Sequence, residues 1–524
     1  MRLRGAVTVP AGGLFLATAA GVLQALSVAW PGNGQAHGWL QIVSLALLAW
    51  SLCRLAASDM AFRPALLAAA RRTGAFALAW LAGTFWWLHV SMHHVGGLPA
   101  PLSVAAVVLL AVALGTYYVG AATAWVALVR LARWRDRPGA ASLLFAALWL
   151  LAELMRGRWF TGFPWGAGGY AHVDGWLAAA APWLGVYGMG ALAAWLAMRL
   201  ALLLSGPQKR LRACLGMAVV LGGVQTLPDS DRLTRSAGSA EVELLQGNID
   251  QTLKFDTDTG IRDALQWYGQ RLTAATAPLV IAPETAIPLL PRHLPAAYWT
   301  SLQQHFAQGQ RLALVGMPWG DALQGYSNAL VTLGPSAMPA YRYDKYHLVP
   351  FGEFIPAGFG WFVRQMQIPL GDFVRGSIHQ PSIAWQGQRL APNICYEDLF
   401  GEELAARFAA SELPPTVLVN VSNIAWFGNT VAVDQHLNIS RLRAMELGRP
   451  MLRATNTGAT AIIDHRGQVQ GLLPRFTRGS LVGVFEGRSG LTPYARWAAA
   501  FGLWPLWGLA LLVLAWAAAS ARRR

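Results

Sequence analysis

Long apolar runs fill most of the first 227 residues, and they constrain the fold more than any other feature of the sequence. Several of them approach the roughly 20 residues that a helix needs to cross the core of a bilayer. One more such run lies near the end of the chain. The runs are 11–30, 39–57, 74–92, 102–130, 140–155, 183–204, 211–227 and 497–519. They predict a polytopic α-helical membrane bundle of about eight spans.

The distribution of arginine and lysine predicts the orientation of this bundle. Basic residues precede the first run and follow the second, fourth and sixth, whereas the segments 31–38 and 93–101 contain none. Because positively charged loops stay in the cytoplasm, the N-terminus is predicted to be cytoplasmic. Seven spans then place the next segment outside, and the last run returns the basic C-terminus to the cytoplasm. Arg156 and Arg158 are exceptions, since this count places them outside.

The composition excludes some classes of function. Only 13% of the residues are charged and 55% are hydrophobic, whereas an average soluble domain has about 25% charged residues. The net charge of +15 comes almost entirely from arginine, much of it beside apolar runs, which the orientation rule explains better than nucleic-acid binding. The three cysteines have no zinc-ligand spacing. We expect no nucleic-acid partner, no metal and no cofactor.

The segment 156–176 between two predicted spans is rich in Trp, Phe, Gly and Pro. Aromatic side chains gather at the depth of the lipid headgroups, so an ordinary aromatic belt is the favoured interpretation. The alternative is that this segment lines a path by which lipids reach a site.

Residues 240–487 have a different pattern, typical of an α/β domain. Short β-rich runs at 241–246, 279–284, 311–318, 328–333 and 416–422 alternate with helix-like stretches at 259–276, 295–308 and 434–447. Nearly continuous apolar strands indicate a sheet that is covered by helices. The predicted organisation is a membrane bundle at 1–227, an α/β domain at 228–490, and a last span with a basic tail at 491–524.

Three residues of this domain are candidates for chemistry. Glu284 ends the apolar run "LVIAPE", where a carboxylate would project from the end of a strand. Lys345 is one of only three lysines in an arginine-rich chain. Cys395 precedes two acidic residues in "NICYED", which should raise the pKa of its thiol. Taken singly, each has a plain structural explanation: a helix N-terminal carboxylate, a solvated loop charge or a buried thiol.

Together, the motifs carry a resemblance to a known family. The order "APETAIP", "YDKYHLVPFGEF", "NICYED" and "VSNIAWFG" resembles the nitrilase, or carbon–nitrogen hydrolase, superfamily. It is closer still to the apolipoprotein N-acyltransferases within it, and that resemblance covers the whole chain. It implies a nitrilase-like αββα sandwich beside the bundle, in the bacterial inner membrane, with the sandwich facing the periplasm.

The resemblance also implies roles for particular residues. Cys395 would be the nucleophile, Glu284 the general base and Lys345 the stabiliser of the oxyanion, supported by Glu353, Tyr396 and Glu397. The substrates would be a phospholipid acyl donor, with phosphatidylethanolamine as the expected one, and a diacylglyceryl lipoprotein acceptor. The physical logic agrees, because a thiol is a weak nucleophile until a base removes its proton.

Two positions depart from the family pattern. Ile424 replaces an Asp in "SNIAWFG", and Phe255 replaces a Trp in "LKFD". Both changes bear on substrate preference more than on the chemistry. The expected lipid-binding residues are Phe255, Phe359, Trp361 and Trp426, and the aromatic segment after Lys345 would form either an arm that dips into lipid or ordinary core.

Two other functions remain open from the residues alone. One is a membrane-tethered, nitrilase-like amidase that uses water as the acceptor. The other is a transporter-like or scaffolding protein with a degenerate domain. Transport is disfavoured because Glu153 is the single acidic residue within a predicted span, and degeneracy because Glu284, Lys345 and Cys395 are all present.

Overall fold

The computed structural model describes residues 11–203, 207–254, 256, 259–356, 373–409 and 413–523. The chain separates into two compact units. We call Met1–Trp86, Val104–Leu227 and Leu503–Arg524 the helical unit, and Trp87–Ser103 with Pro228–Gly502 the sheet unit. The predicted domain limits stay a prediction; the sheet unit also includes Trp87–Ser103 and the residues from 491 to 502. The helical unit is built from long apolar helices. Its main helices are Ala11–Val28, Gly38–Ala57, Phe62–Phe85, Ala100–Leu131, Pro138–Arg158, Ala181–Leu202, Pro207–Gln225 and Trp504–Arg522.

Among the described residues, five helices are long and apolar enough to cross a membrane, or six if Phe62–Phe85 and Leu88–Val95 form one broken span. Two shorter apolar helices, Gly12–Val28 and Ala213–Gln225, coincide with the first and seventh predicted runs. The count of eight spans stays a prediction.

The third helix starts at Phe62, well before the predicted start at residue 74. Arg71 and Arg72 therefore lie within a helix and not in a loop. The Arg72 guanidinium donates a hydrogen bond to the Ser51 hydroxyl at 2.9 Å, so one of its N–H groups has a partner within the helical unit.

A buried ion pair explains why Arg156 departs from the orientation rule. The Arg156 guanidinium lies 3.2 Å from the Glu153 carboxylate, and both side chains are buried. The Tyr118 hydroxyl donates to the same carboxylate at 2.7 Å. Arg156 also donates to the main-chain carbonyls of Phe163 and Trp165. Because its charge is neutralised within the helical unit, the position of Arg156 does not indicate which side of the membrane this end of the helix faces.

The sheet unit contains two six-stranded sheets. Their strands are β1 Arg235–Gln246, β2 Leu279–Ile281, β3 Leu312–Asp321, β4 Gly325–Leu333, β5 Arg342–Asp344, β6 Ile383–Trp385, β7 Gln388–Ile394, β8 Val417–Ser422, β9 Met451–Thr455, β10 Ala461–Ile463, β11 Val469–Leu472 and β12 Gly479–Ser489. The first sheet has the order β12-β1-β2-β3-β4-β5 and the second β11-β10-β9-β8-β7-β6. Strands β1 to β3 pair in parallel, as do β7 to β9, and the other pairs are antiparallel.

Three apolar layers hold these sheets. The central layer joins side chains of both sheets, such as Leu244, Ile281, Leu390 and Val419. An outer layer packs helices Gly260–Ala274 and Ala296–Ala307 on the first sheet, and another packs Ala432–Leu447 and Pro493–Phe501 on the second. The predicted αββα sandwich is confirmed, and the predicted β-rich runs coincide with β1, β2, β3, β4 and β8. The other described strands, β5 to β7 and β9 to β12, had no counterpart among those runs. The predicted run 279–284 ends as a strand at Ile281, which leaves Glu284 beyond the strand end.

The segment Trp87–Ser103 is part of the sheet unit although it lies between two long apolar helices in the chain. The Trp87 ring packs on Phe427 with a centroid distance of 4.3 Å. Its indole N–H donates to the Gln435 side chain at 3.0 Å. This segment therefore covers the turn Ile424–Phe427 that follows β8.

Candidate active site

The predicted catalytic residues follow strand ends and come together. Glu284 lies just after β2, Lys345 directly after β5, and Cys395 directly after β7. Cys395 opens a 3₁₀ turn, Cys395–Leu399, and has a φ of 52°, in the left-handed region that residues with a side chain rarely adopt. It is half-buried, whereas Glu284 and Lys345 are buried.

Two carboxylates share one ammonium group and one amide. The Lys345 Nζ lies 2.9 Å from Glu353 Oε1 and 3.4 Å from Glu284 Oε1. The Asn328 Nδ2 donates to the same two oxygens, at 2.8 Å and 2.7 Å. The main-chain N–H of Asn423 donates to the other Glu284 oxygen at 2.8 Å. These donors offset the cost of burying two carboxylates, which would be very high for unpaired charges.

The electrostatics of this group keep the thiol protonated at rest. Burial alone would raise the pKa of Glu284, but Lys345 and Asn328 outweigh it and lower that pKa. Burial likewise opposes the charge on Lys345, yet Glu353 and Glu284 raise its pKa. Burial and the Glu284 carboxylate raise the pKa of Cys395 to about 12, against the opposing charge of Lys345. The thiol is thus close enough to Glu284 and Lys345 for their charges to act on its pKa, as removal of its proton during attack requires.

Glu397 positions the main chain. Its carboxylate accepts hydrogen bonds from the Tyr343 hydroxyl and from the main-chain N–H groups of Tyr346, His347 and Ile394. It thereby ties the loop that carries Lys345 to the strand end that carries Cys395. Burial raises the pKa of Glu397, while these donors oppose the shift. Tyr396, beside it, is buried, and its ring lies 5.4 Å from that of Phe400.

Some contributors were not predicted. Asn328 bridges Glu284 and Glu353, and its own main-chain oxygen accepts from the Lys345 N–H at 2.9 Å. Lys254 is buried and donates to the main-chain oxygen of Glu284 at 3.3 Å. Burial lowers the pKa of Lys254 to about 8. The scarcity of lysine that singled out Lys345 applies equally to Lys254, whereas no sequence signal distinguishes Asn328.

Three of the four expected lipid-binding residues, Phe255, Phe359 and Trp361, lie outside the described residues. Trp426 is half-buried in the turn Ile424–Phe427, and Ile424 is fully buried at its start. In the described part of the chain, no group of three or more His, Cys, Asp or Glu side chains is arranged to hold a metal ion.

Solved structures of the nitrilase superfamily resemble about half of the chain. An amidase from Nesterenkonia AN1 is 16% identical, covers 50% of this chain and 95% of its own length, and has a TM-score of 0.37. Nit3 of Saccharomyces cerevisiae, a member of branch 10 of the superfamily, is 13% identical, covers 49% and 92% respectively, and has a TM-score of 0.36.

Sequence comparisons reach further along the chain. Residues 20–199 match the apolipoprotein N-acyltransferase N-terminal domain, and residues 242–486 match the carbon-nitrogen hydrolase family. The apolipoprotein N-acyltransferase of Verminephrobacter eiseniae is 54% identical over 97% of this chain and 96% of its own length. That of Ralstonia nicotianae is 48% identical over 93% and 90%. The chain therefore belongs to the apolipoprotein N-acyltransferase family.

Proposed function

We propose that this protein transfers an acyl chain from a phospholipid to the N-terminal α-amine of a diacylglyceryl-cysteine lipoprotein, through a thioester on Cys395. The observation that carries the proposal is the buried Glu284–Lys345 ion pair at 3.4 Å, whose two charges act on the pKa of the Cys395 thiol. Family membership supplies the substrates, and it disfavours the alternative of a membrane-tethered amidase.

The first half-reaction forms the acyl-enzyme. Glu284 takes the thiol proton as Cys395 Sγ attacks the ester carbonyl of the phospholipid. Lys345 stabilises the negative charge that develops on the carbonyl oxygen, which is worth most in a site that excludes water. When the tetrahedral intermediate collapses, the C–O bond breaks and Glu284 returns the proton to the departing lysophospholipid alkoxide.

The second half-reaction releases the product. The neutral α-amine of the lipoprotein attacks the thioester carbonyl, and Glu284 takes a proton from the attacking nitrogen. The C–S bond breaks, an amide forms, and the proton returns to the Cys395 sulfur. In both half-reactions, Glu284 thus acts first as a base toward the attacking group and then as an acid toward the leaving group.

The supporting residues act by position. Glu353 holds the Lys345 ammonium at 2.9 Å and shares Asn328 with Glu284, so it fixes the distance between cation and base. Glu397 holds the loop of Lys345 against the strand end of Cys395. We assign Tyr396 to the packing of this turn.

The proposed setting is the bacterial inner membrane, with the sheet unit in the periplasm and both termini in the cytoplasm. The charge distribution between the apolar runs supports this orientation. Both substrates carry acyl chains, and burial of each CH₂ in the bilayer is worth about 0.8 kcal/mol, so the site must meet them at the membrane. Phosphatidylethanolamine is the proposed donor. Contact with the acyl chains is proposed for Phe255, Phe359, Trp361 and Trp426.

The test is direct detection of the intermediate. Incubation with phosphatidylethanolamine and no acceptor should leave a hydroxylamine-labile acyl group on Cys395, seen by mass spectrometry. Cys395→Ala should abolish both the adduct and acyl transfer, whereas Cys214→Ser, at an exposed thiol, should change neither. Continued transfer by Cys395→Ala would reject the mechanism. Release of free fatty acid to water at the same rate with and without a lipoprotein amine would favour the amidase.

A further inference from the structure

A buried polar network lies behind the Cys395 turn and is not used by the reaction as described. It begins on the second sheet, where Asn393, Asn420 and Arg453 are register partners across β7, β8 and β9. The Asn420 Nδ2 donates to Asn393 Oδ1 at 2.6 Å and to the main-chain oxygen of Cys395 at 3.3 Å. Asn420 therefore connects the interior of the sheet to the left-handed residue that carries the thiol.

Arg453 determines which way the Asn420 amide points. Its Nη1 donates to Asn420 Oδ1 at 2.8 Å. Because a guanidinium only donates, the oxygen of Asn420 must face Arg453, and its NH₂ group must face Cys395. A reversed amide would place two donors together and two acceptors together.

The helix Ala432–Leu447 and the Cys395 turn hold Arg453 in turn. Arg453 Nη2 lies 3.0 Å from His436 Nδ1, so this nitrogen is the acceptor and the proton of the imidazole sits on Nε2. That Nε2–H donates to Asp398 Oδ1 at 2.8 Å. Ser440, one turn further along the helix, contacts both Arg453 and the other Asp398 oxygen.

The network returns to the predicted nucleophile, because Asp398 lies in the same 3₁₀ turn as Cys395. Every member is buried: Asn393, Asp398, Asn420, His436, Ser440 and Arg453. The network itself contains the charges of Asp398 and Arg453, and Glu284, Lys345 and Glu353 act on the Cys395 thiol as well. A left-handed residue persists only where its surroundings over-determine its conformation, and this network supplies that constraint.

We propose that the network of Asn420, Arg453, His436, Ser440 and Asp398 is a positioning device: it clamps the Cys395 main chain in its left-handed conformation and so aims the thiol at Glu284 and Lys345. The effect of this network on acyl transfer rests on the proposed function. Its members are positioning residues, because they act through the main chain of Cys395 and not on the substrate.

Asn420→Asp is the informative variant, because it keeps the shape and the Arg453 contact but turns the donor to Cys395 into an acceptor. The acylation rate of the parent should be flat between pH 6 and 9, since an ionised Glu284 activates a neutral thiol. A misaimed thiol reacts only as free thiolate, so the rate of Asn420→Asp should fall about tenfold or more at pH 7 and rise about tenfold per pH unit. Half-saturation by phospholipid should not change. Asn438→Asp is the matched control and should keep the flat profile. Asn438 is buried in the helix Ala432–Leu447, where its side chain accepts from Arg441.

A parent-like rate in Asn420→Asp, or a slower rate with a flat pH profile, would overturn the proposal. If Asn420→Asp does not fold, Ser440→Ala decides by the same measurement, with a smaller loss and the same rising profile expected. If the parent forms no thioester, the proposed function fails separately. Alkylation of Cys395 by iodoacetamide at pH 7.5 then tests the network in Ser440→Ala, which adds no charge: it should be faster than in the parent because the thiol has left Glu284, and equal rates would reject the clamp.

Discussion

Replacing Glu284 by Gln should change two rates at Cys395 in opposite directions. The thiol pKa of about 12 means that only about 1 molecule in 30,000 carries a thiolate at pH 7.5, against about one tenth for an ordinary cysteine. After burial, the Glu284 carboxylate is the largest contribution to that shift. Removing a like charge at short range lowers a pKa by about one unit or more, so thiolate and alkylation should rise about tenfold at pH 7.5.

Acyl transfer should move the other way. Gln keeps the shape of Glu284 but cannot accept the thiol proton, and loss of a general base costs about 10²- to 10⁴-fold. The assay compares iodoacetamide alkylation with acyl-enzyme formation, in a background where Cys53 and Cys214 are Ser. Glu243→Gln is the control, since Glu243 is a buried carboxylate paired with Arg271 at 3.1 Å. If both rates fell together in Glu284→Gln, the thiol would be activated at rest as an ion pair and the reasoning would be wrong.

Three further outcomes follow from buried charges. Tyr343→Phe removes the hydroxyl that donates to both Glu397 oxygens, at 2.9 Å and 3.0 Å, and should destabilise the protein by about 1–2 kcal/mol with a lower melting temperature in detergent. Glu153→Gln leaves Arg156 as an uncompensated buried cation, so a loss of about 3–5 kcal/mol is expected; an unchanged melting temperature would contradict this. Lys254 has a pKa of about 8 in the folded protein and 10.5 ordinarily, so the unfolded chain holds its proton to higher pH and stability should rise across that window. Relative to Lys254→Met, the parent should gain about 3 kcal/mol in unfolding free energy between pH 8 and 10.5, and a constant difference would refute the assignment.

The sequence predicted an α/β domain because β1 to β4 and β8 contain strongly apolar runs and helices lie between several of them. Strands such as β5 and β6, of three residues each, have no distinct apolar run. Glu284, Lys345 and Cys395 were singled out together by the resemblance of their motifs and not by strand pattern, since they follow β2, β5 and β7, which belong to two different sheets. Their catalytic roles stay a prediction. Asn328 could not be predicted, since its role depends on the register of β4 against β5, where Ala329 faces Asp344. Register is set by packing across the sandwich, which no single run of residues reveals.

The charge rule for membrane orientation met a similar limit at Arg156. A count of basic residues treats every arginine as a loop charge, but it cannot detect a carboxylate one helical turn away on a buried face. The acidic neighbours of Cys395 were also ambiguous in sequence. The structure separates them: Glu397 accepts hydrogen bonds from the surrounding main chain, and Asp398 contacts Arg453. The carboxylates that raise the thiol pKa are Glu284 and, to a smaller extent, Glu353, both distant in sequence.

The placement of Trp87–Ser103 in the sheet unit has a consequence for dissecting the protein. A fragment that begins at Pro228 would be a natural choice for soluble expression, yet it would lack the indole that covers Phe427 and donates to Gln435. Such a fragment would expose the Phe427 ring to solvent. Phe427 belongs to the turn that directly follows Asn423, whose main-chain N–H donates to Glu284. A working minimal version of the sheet unit must therefore retain the segment between the helices Phe62–Phe85 and Ala100–Leu131.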